Sequence, residues 1–526
     1  MDDILEKISA TGSSNNVALL QALIVILRPE KAVDIEQATS NLRALTYLLH
    51  NRPEYAAALR DYLTTLIVSR KLAQLCTDTG ILASQGFFAE LWQRVNHKWL
   101  PPRADADQLK DLLGLVLDQP QDWVWVCGVD TAVWNQLISA LGFCWRKSHA
   151  LHEYLMRELL AAAHVLSYRI AAIGLEPELA RNYPPNESPD SLFMRQNADV
   201  NLFVDTCRLW QGDRRQRRGA KADVESALVQ CDQIICQIQI RAIENGVSIS
   251  LTRFLLRLTQ SIERLRLLLE ILDPPSINHA RRIGIDLFKL LVRAEADKNN
   301  LSQLFRTNTE LLALQVTEHA GRSGEHYVTR TRAEWKEMFG SASGAGFIVG
   351  FMALLKLLAS TLLLAPFGFA CMYSLDYSLG FMLVHVLRYT IATKQPAMTA
   401  AAIAASIDQG RQKLHELAEL IVCIARSQFI AILGNVLVAM PTALAIAVVW
   451  RYMTGHHLAD MDKAQHLLAD IDPFHSLALL YAATAGGCLF LSGLVAGYYD
   501  NKATYNEIPA RLRQLRWLRH LLGDQR

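Results

Sequence analysis

The chain has 526 residues, room for two to four domains, and its 53 Lys and Arg nearly balance its 51 Asp and Glu. A net charge of +2 excludes a protein that grips nucleic acid through bulk charge. A mean hydropathy of +0.13 beside 20% charged residues requires apolar and charged stretches to be segregated along the chain.

The start, MDDILEKISATGSS, is acidic and lacks the apolar core of a signal peptide, so the first domain is expected in the cytoplasm. Residues 1–340 then read as helix after helix. From Ser40 to Cys76 apolar residues recur every three or four positions, and Pro53 opens a new helix at its first turn. WVWVCGV, residues 123–129, is the one stretch with strand character. Pro177, Pro184, Pro185 and Pro189 break the pattern over 176–200, a linker between helical subdomains at 1–175 and 201–343. The basic run at 213–223 offers Arg214, Arg215, Arg217 and Arg218 as phosphate or headgroup contacts, or else is a solvated loop between helices. Residues 248–272 form an amphipathic helix with Arg and Glu on its polar face, ending at Pro274-Pro275, and suit a helix bundle.

The character changes at 344. Residues 345–365, 369–392, 429–450 and 476–499 are each long and apolar enough to cross a hydrocarbon core of about 30 Å. The fold class is therefore all-α: a large helical cytoplasmic N-terminal domain, then a polytopic membrane domain over 344–499. A basic amphipathic helix over 500–526 closes the chain. Arg322, Arg330, Arg332 and Lys336 precede the first span, and Lys394, Arg411, Lys413 and Arg426 follow the second. Beyond the fourth come Lys502, Arg511, Arg513, Arg516, Arg519 and Arg526, whereas the loop 451–475 carries four aspartates beside Arg451 and Lys463. The positive-inside rule places both ends in the cytoplasm and the spans in an inner membrane, with the lipid bilayer as first partner.

Within the spans, Lys356 and Asp376 lie ten residues on either side of Pro366. A hairpin brings them to one depth, and isolated charges there pair. Gly346 and Gly350, and Gly493 and Gly497, have GxxxG spacing for close helix packing. Pro441 should kink its span, and Asn435 should hydrogen-bond between helices. At the end of the second span, Arg388 and Lys394 meet the headgroups, and Lys394-Gln395-Pro396 marks a membrane exit and helix restart. The helix beyond carries Leu414, Leu417, Ile421 and Ile424 on one face.

Enzyme signatures are absent: there is no GxGxxG, GxxxxGK[ST], HExxH or GxSxG. The nine cysteines have no zinc spacing, so neither metal nor cofactor is called for. HVLR at 385–388, followed by Tyr389, and HARR at 279–282 have the His-x-x-Arg spacing of tyrosine-type strand-exchange enzymes. At a membrane boundary His385 and Arg388 read instead as interfacial side chains.

Five stretches resemble one bacterial family: RALTYLLHNRPEYAAALRDYL (43–63), TDTGILASQGFFAELWQRVNHKWLPP (77–102), the 304–335 stretch with GEHYVTR, TIATKQPAMTAAAIAASI (390–407) and the 496–523 stretch AGYYDNKATYNEIPARLRQLRWLRHLLG. Together they are similar to the proteobacterial family labelled site-specific recombinase. The resemblance runs along essentially the whole chain and implies DNA as a partner and DNA rearrangement as an activity. It carries over no catalytic residue, which stays unknown. It also implies further apolar sequence beyond the position of Arg526. Two readings follow. One is a membrane protein whose cytoplasmic helical domain binds a protein partner or regulates the membrane part. The other is a membrane-associated DNA recombinase.

Overall fold

The computed structural model describes residues 1–11, 16–83, 86–100, 105–143, 149–184, 191–208, 214–245, 248–306, 329–362, 364–392 and 414–515. Among them secondary structure is helical, with one isolated bridge between Lys71 and Gln108. The chain divides into two compact units, one of Met1–Glu244 with Ile249–Leu311, the other essentially Leu312–Arg526.

The first unit opens with α1 (Asp2–Thr11), α2 (Val17–Leu27), α3 (Ile35–Asn51), α4 (Pro53–Val68), α5 (Ala73–Asp78), α6 (Phe87–Trp99), α7 (Leu109–Val116), α8 (Asp122–Gly128) and α9 (Thr131–Leu141). It continues with α10 (His149–Gly174), α11 (Pro177–Asn182), α12 (Leu192–Arg208), α13 (Arg214–Asn245), α14 (Ile249–Leu272) and α15 (Ile277–Asp297). Pro53 stands in the first turn of α4, where its missing N–H leaves no bond unmade. Leu5, Leu42, Leu45, Tyr62, Leu66, Trp125 and Val126 join α1, α3, α4 and α8 in one core.

The stretch with strand character is α8. Asp122 is buried at its start, where it accepts from Arg28 Nε and Nη2 at 2.7 and 2.6 Å and from Trp125 Nε1 at 3.1 Å. Burial of Trp125 and Val126 on a helical face outweighs the strand propensity of Trp and Val. The proline-rich stretch lies inside the first unit and contains α11 and the start of α12. Across it α10 closes directly on α12: a Cβ at Gly174 would overlap the Phe193 ring, and Gln196 Nε2 donates to the Ser167 carbonyl at 2.9 Å. The basic run is the first turns of α13 rather than a loop, and Arg218 there is exposed.

The second unit contains α16 (Arg332–Ala359), α17 (Pro366–Val386), α18 (Leu414–Thr454), α19 (Met461–Asp470), α20 (Ala478–Tyr505) and α21 (Ile508–Gln514). Thr331 begins α16 with a capping box, its hydroxyl taking the Glu334 N–H while the Glu334 carboxylate takes the Thr331 N–H. This helix ends at Ala359, six residues before the expected end of the first span, and Pro366 starts α17. The expected cytoplasmic helix and third span are one 41-residue helix, α18, which continues through Pro441.

Contacts fix the directions. Gly380 of α17 lies against Met352 and Val384 clusters with Ala345, so α16 and α17 are antiparallel. Ala342 clusters with Ala431, Gly346 faces the Asn435 backbone and Gly350 faces Thr442, so α16 and α18 run parallel. Among the described residues three helices are long and apolar enough to cross a membrane: Arg332–Ala359, Pro366–Val386 and Ala418–Thr454. The fourth expected span is apolar over Ala478–Gly493, a shorter length.

Candidate functional site

The end of α17 turns the chain back onto the α16–α18 pair. Arg388 N–H donates to the His385 carbonyl at 3.0 Å and Tyr389 N–H to that of Val384 at 2.9 Å, closing a Schellman turn. Its left-handed position, usually glycine, is Arg388, at φ 59°. Such backbone strain in a residue with a Cβ costs about 1–2 kcal/mol and persists only where surrounding contacts hold it.

Those contacts are polar groups of α16 and α18. Ser341 Oγ lies 2.9 Å from Thr390 Oγ1 and donates to the Arg388 carbonyl at 3.3 Å. Gln428 Nε2 donates to the Ala392 carbonyl at 2.9 Å. Ser427 Oγ accepts the Thr329 N–H at 2.8 Å, with the Thr329 hydroxyl 2.7 Å away. Thr329, Thr390 and Ser427 are buried. Tyr389 lays its ring on Gly344, where a Cβ would meet it at 2.6 Å. The segment that runs toward TKQPAMTA is thus strapped down at residue 392. Lys394, Gln395 and Pro396 lie outside the described residues. Sequence reading found Arg388 and missed Ser341, Thr390, Ser427 and Gln428. Their signal was hydroxyl and amide residues directly flanking apolar runs.

The Met352–Gly380 contact sets Lys356 level with Asp376. No direct ion pair joins them. The Lys356 ammonium stands over the rings of Tyr373 and Tyr377, 5.4 and 5.7 Å from their centroids. Asp376 Oδ2 is buried without a hydrogen-bond partner. Because α16 ends early, Lys356 falls in its last turn, where helix carbonyls favour a cation. Gly346 and Gly350 both face α18, where a Cβ would stand 2.5 Å from the Asn435 carbonyl oxygen or 2.7 Å from the Thr442 methyl. Asn435 Oδ1, expected in an interhelical hydrogen bond, has none. Gly493 is buried in α20, and the surroundings of Gly497 lie outside the described residues.

The His-x-x-Arg copies form no assembled catalytic group. No hydrogen bond among the described residues links the Tyr389 hydroxyl to His385 or Arg388, and all three side chains are exposed. In the second copy His279 is held by Glu270 at 3.0 Å, and no hydrogen bond among the described residues joins it to Arg282. Of the basic run, Arg214, Arg215 and Arg217 have side chains outside the described residues.

Among the described residues the secondary structure is helical, and three helices are by length and composition able to cross a bilayer, which defines the class as all-helical. The chain belongs to the site-specific recombinase family, whose model matches residues 14–526. No curated protein and no solved structure matches it.

Proposed function

We propose that this protein is a multi-pass inner-membrane member of its family whose helical N-terminal unit faces the cytoplasm as a partner-binding or regulatory module. One observation carries the reading: the outward surfaces of α16, α17 and α18 are apolar. Phe347, Phe351, Leu355, Leu375, Leu437 and Leu444 are all exposed. A water-facing surface of that kind and extent is a liability, whereas in lipid it is the natural exterior. The alternating directions of α16, α17 and α18 fit successive crossings, with residues 476–499 as a fourth that returns the basic C-terminus to the cytoplasm. Alkaline carbonate extraction of membranes containing the full chain tests this, and release into the soluble fraction overturns it.

Lys356 and Asp376 act, in this reading, as a loose pair bridged by the two tyrosine rings that fixes the α16–α17 register. Asp376→Asn strands the cation, so it should insert less stably than the double variant Lys356→Met/Asp376→Leu. Equal membrane yields would remove the pairing.

Family membership favours a second reading, a membrane-associated DNA recombinase. It needs salt-dependent binding of duplex DNA by the full chain in detergent. Absence of retention at about 50 mM salt, where phosphate contacts are strongest, would dismiss it.

A further inference from the structure

Helix α14 carries Arg253, Arg257, Gln260 and Arg264, spaced so that a 3.6-residue helix sets them along one stripe. This stripe faces inward, contrary to the solvated face expected for its arginines. It lies against residues 76–83, the end of α5 and the turn beyond. Arg264, 4% exposed, donates to the carbonyls of Cys76 at 2.8 Å and Thr79 at 3.0 Å. Gln260 Oε1 accepts the Leu82 N–H at 2.8 Å, and Arg253 donates to the Ala83 carbonyl at 3.2 Å. From α10, Arg169 donates to the Thr77 carbonyl and to Asp78, the latter at 2.8 Å.

Positive charge exceeds negative here. Asp78 is taken by Arg169, and Glu90 is taken by Arg94 at 2.6 Å with Arg253 standing off at 3.9 Å. Arg257, between Arg253 and Arg264 on the stripe, donates no side-chain hydrogen bond among the described residues, and its Nε is closed to solvent and unsatisfied. Loss of water, then the neighbouring Arg169 charge, hold its pKa below the usual arginine value; Asp78 opposes this and Arg253 adds to it. A half-buried, unpartnered cation beside others of its sign is unfavourable until an anion joins it.

We propose that Arg257, flanked by Arg169 and Arg253, binds the phosphate group of a small solute or free phosphate. A guanidinium fork matches the oxygens of a tetrahedral oxyanion, and no side-chain hydrogen bond of Arg257 is made among the described residues. With Nε shut off, a ligand reaches only the outer nitrogens, a geometry that suits a compact terminal phosphate over a continuous phosphodiester strand. The site rests neither on the membrane reading nor on DNA recombination.

The test is thermal unfolding of the full chain in detergent at constant ionic strength. Inorganic phosphate, a nucleoside monophosphate, a short single-stranded oligonucleotide and phosphatidylglycerol in mixed micelles serve as separate probes. Phosphate or the monophosphate should raise the midpoint, and Arg257→Met should weaken that response at least tenfold. The variant's own midpoint without phosphate should be unchanged or higher, because Met keeps the apolar stem and removes the stranded charge. Arg293→Met, whose arginine stacks on Trp123 at 5.1 Å elsewhere in the unit, should keep the response. A lower phosphate-free midpoint for Arg257→Met would show a structural role and overturn the site. So would a midpoint that rises no more with phosphate than with chloride, or a response confined to the oligonucleotide or the phosphatidylglycerol micelles.

Discussion

The two units bury opposite kinds of residue. Where α3 and α4 meet in the first, the interior is Leu42, Leu45, Leu59 and Tyr62. Where α16 and α18 meet in the second, it is Ala342, Gly346, Gly350, Ala431 and Gly434, while Phe347, Phe351, Leu355, Leu437 and Leu444 point outward. In water, burying a leucine is itself the driving force, at about 25 cal/mol per Å². Between helices already in hydrocarbon that force vanishes, since lipid tails are as apolar as leucine, and close backbone approach takes its place. On the proposed membrane reading each unit is built against a different solvent, and the difference can be tested with matched substitutions.

The sharpest contrast is one deletion made twice. Leu42 is fully buried, and Leu42→Ala should cost about 2–5 kcal/mol by denaturant unfolding, the range for cavities in packed cores. Leu437 on α18 is 53% exposed, and Leu437→Ala in bilayers should stay within about 0.5 kcal/mol, as for surface sites. Comparable losses at both positions would mean that the outer face of α18 packs on protein rather than lipid.

Glycines make the converse comparison. Gly346→Ala puts a Cβ 2.5 Å from a backbone oxygen of α18, so the helices must part. A loss of about 1–3 kcal/mol is expected, as for overpacked cores. Gly486 in α20 has open space around its Cβ direction, and Gly486→Ala should be neutral or stabilising by up to about 1 kcal/mol through helix propensity. Equal behaviour in a detergent unfolding series would separate helix contact from GxxxG spacing as the cause.

Smaller still is the turn at Arg388. Arg388→Gly relieves a left-handed conformation and should gain about 1 kcal/mol, while it removes a charge placed at the expected headgroup level. A loss of stability would show that the guanidinium, not the strap of Ser341, Thr390 and Gln428, holds the segment.

Much of the fold was legible because helix signals are local. Proline at helix starts and the apolar runs both report on a few neighbouring residues. What could not be read depends on partners distant in the chain. The strand-like run at 123–129 folds as helix because Arg28 and the core claim Asp122 and Trp125. The arginines of α14 look like a solvated face until residues 76–83 present carbonyls to them. Periodicity gives the spacing of a stripe and leaves open whether its charged side faces out. In the candidate site, Arg388 stood out by its place beside an apolar run. Ser341 and Gln428 matter only because α16 and α18 run parallel, which no local pattern encodes.

Cysteines extend the comparison without changing stability. In the first unit, burial pushes the Cys76 thiol up to about 11 and the Cys231 thiol up to about 12, whereas Cys236 is exposed. The thiolate is the reacting form, so at pH 8 the two buried thiols should resist a maleimide while Cys236 is labelled. Raising the pH toward 10 should increase labelling of Cys76 before Cys231, since the lower of two raised values yields thiolate first. In the second unit, Cys371 and Cys488 are exposed on helix surfaces expected to face lipid, not water. A membrane-impermeant maleimide should therefore label Cys236 in opened vesicles and leave Cys371 and Cys488 unreacted until the membrane is dissolved. Rapid labelling of Cys371 and Cys488 in intact bilayers would place both helix faces in water and collapse the contrast between the two solvents.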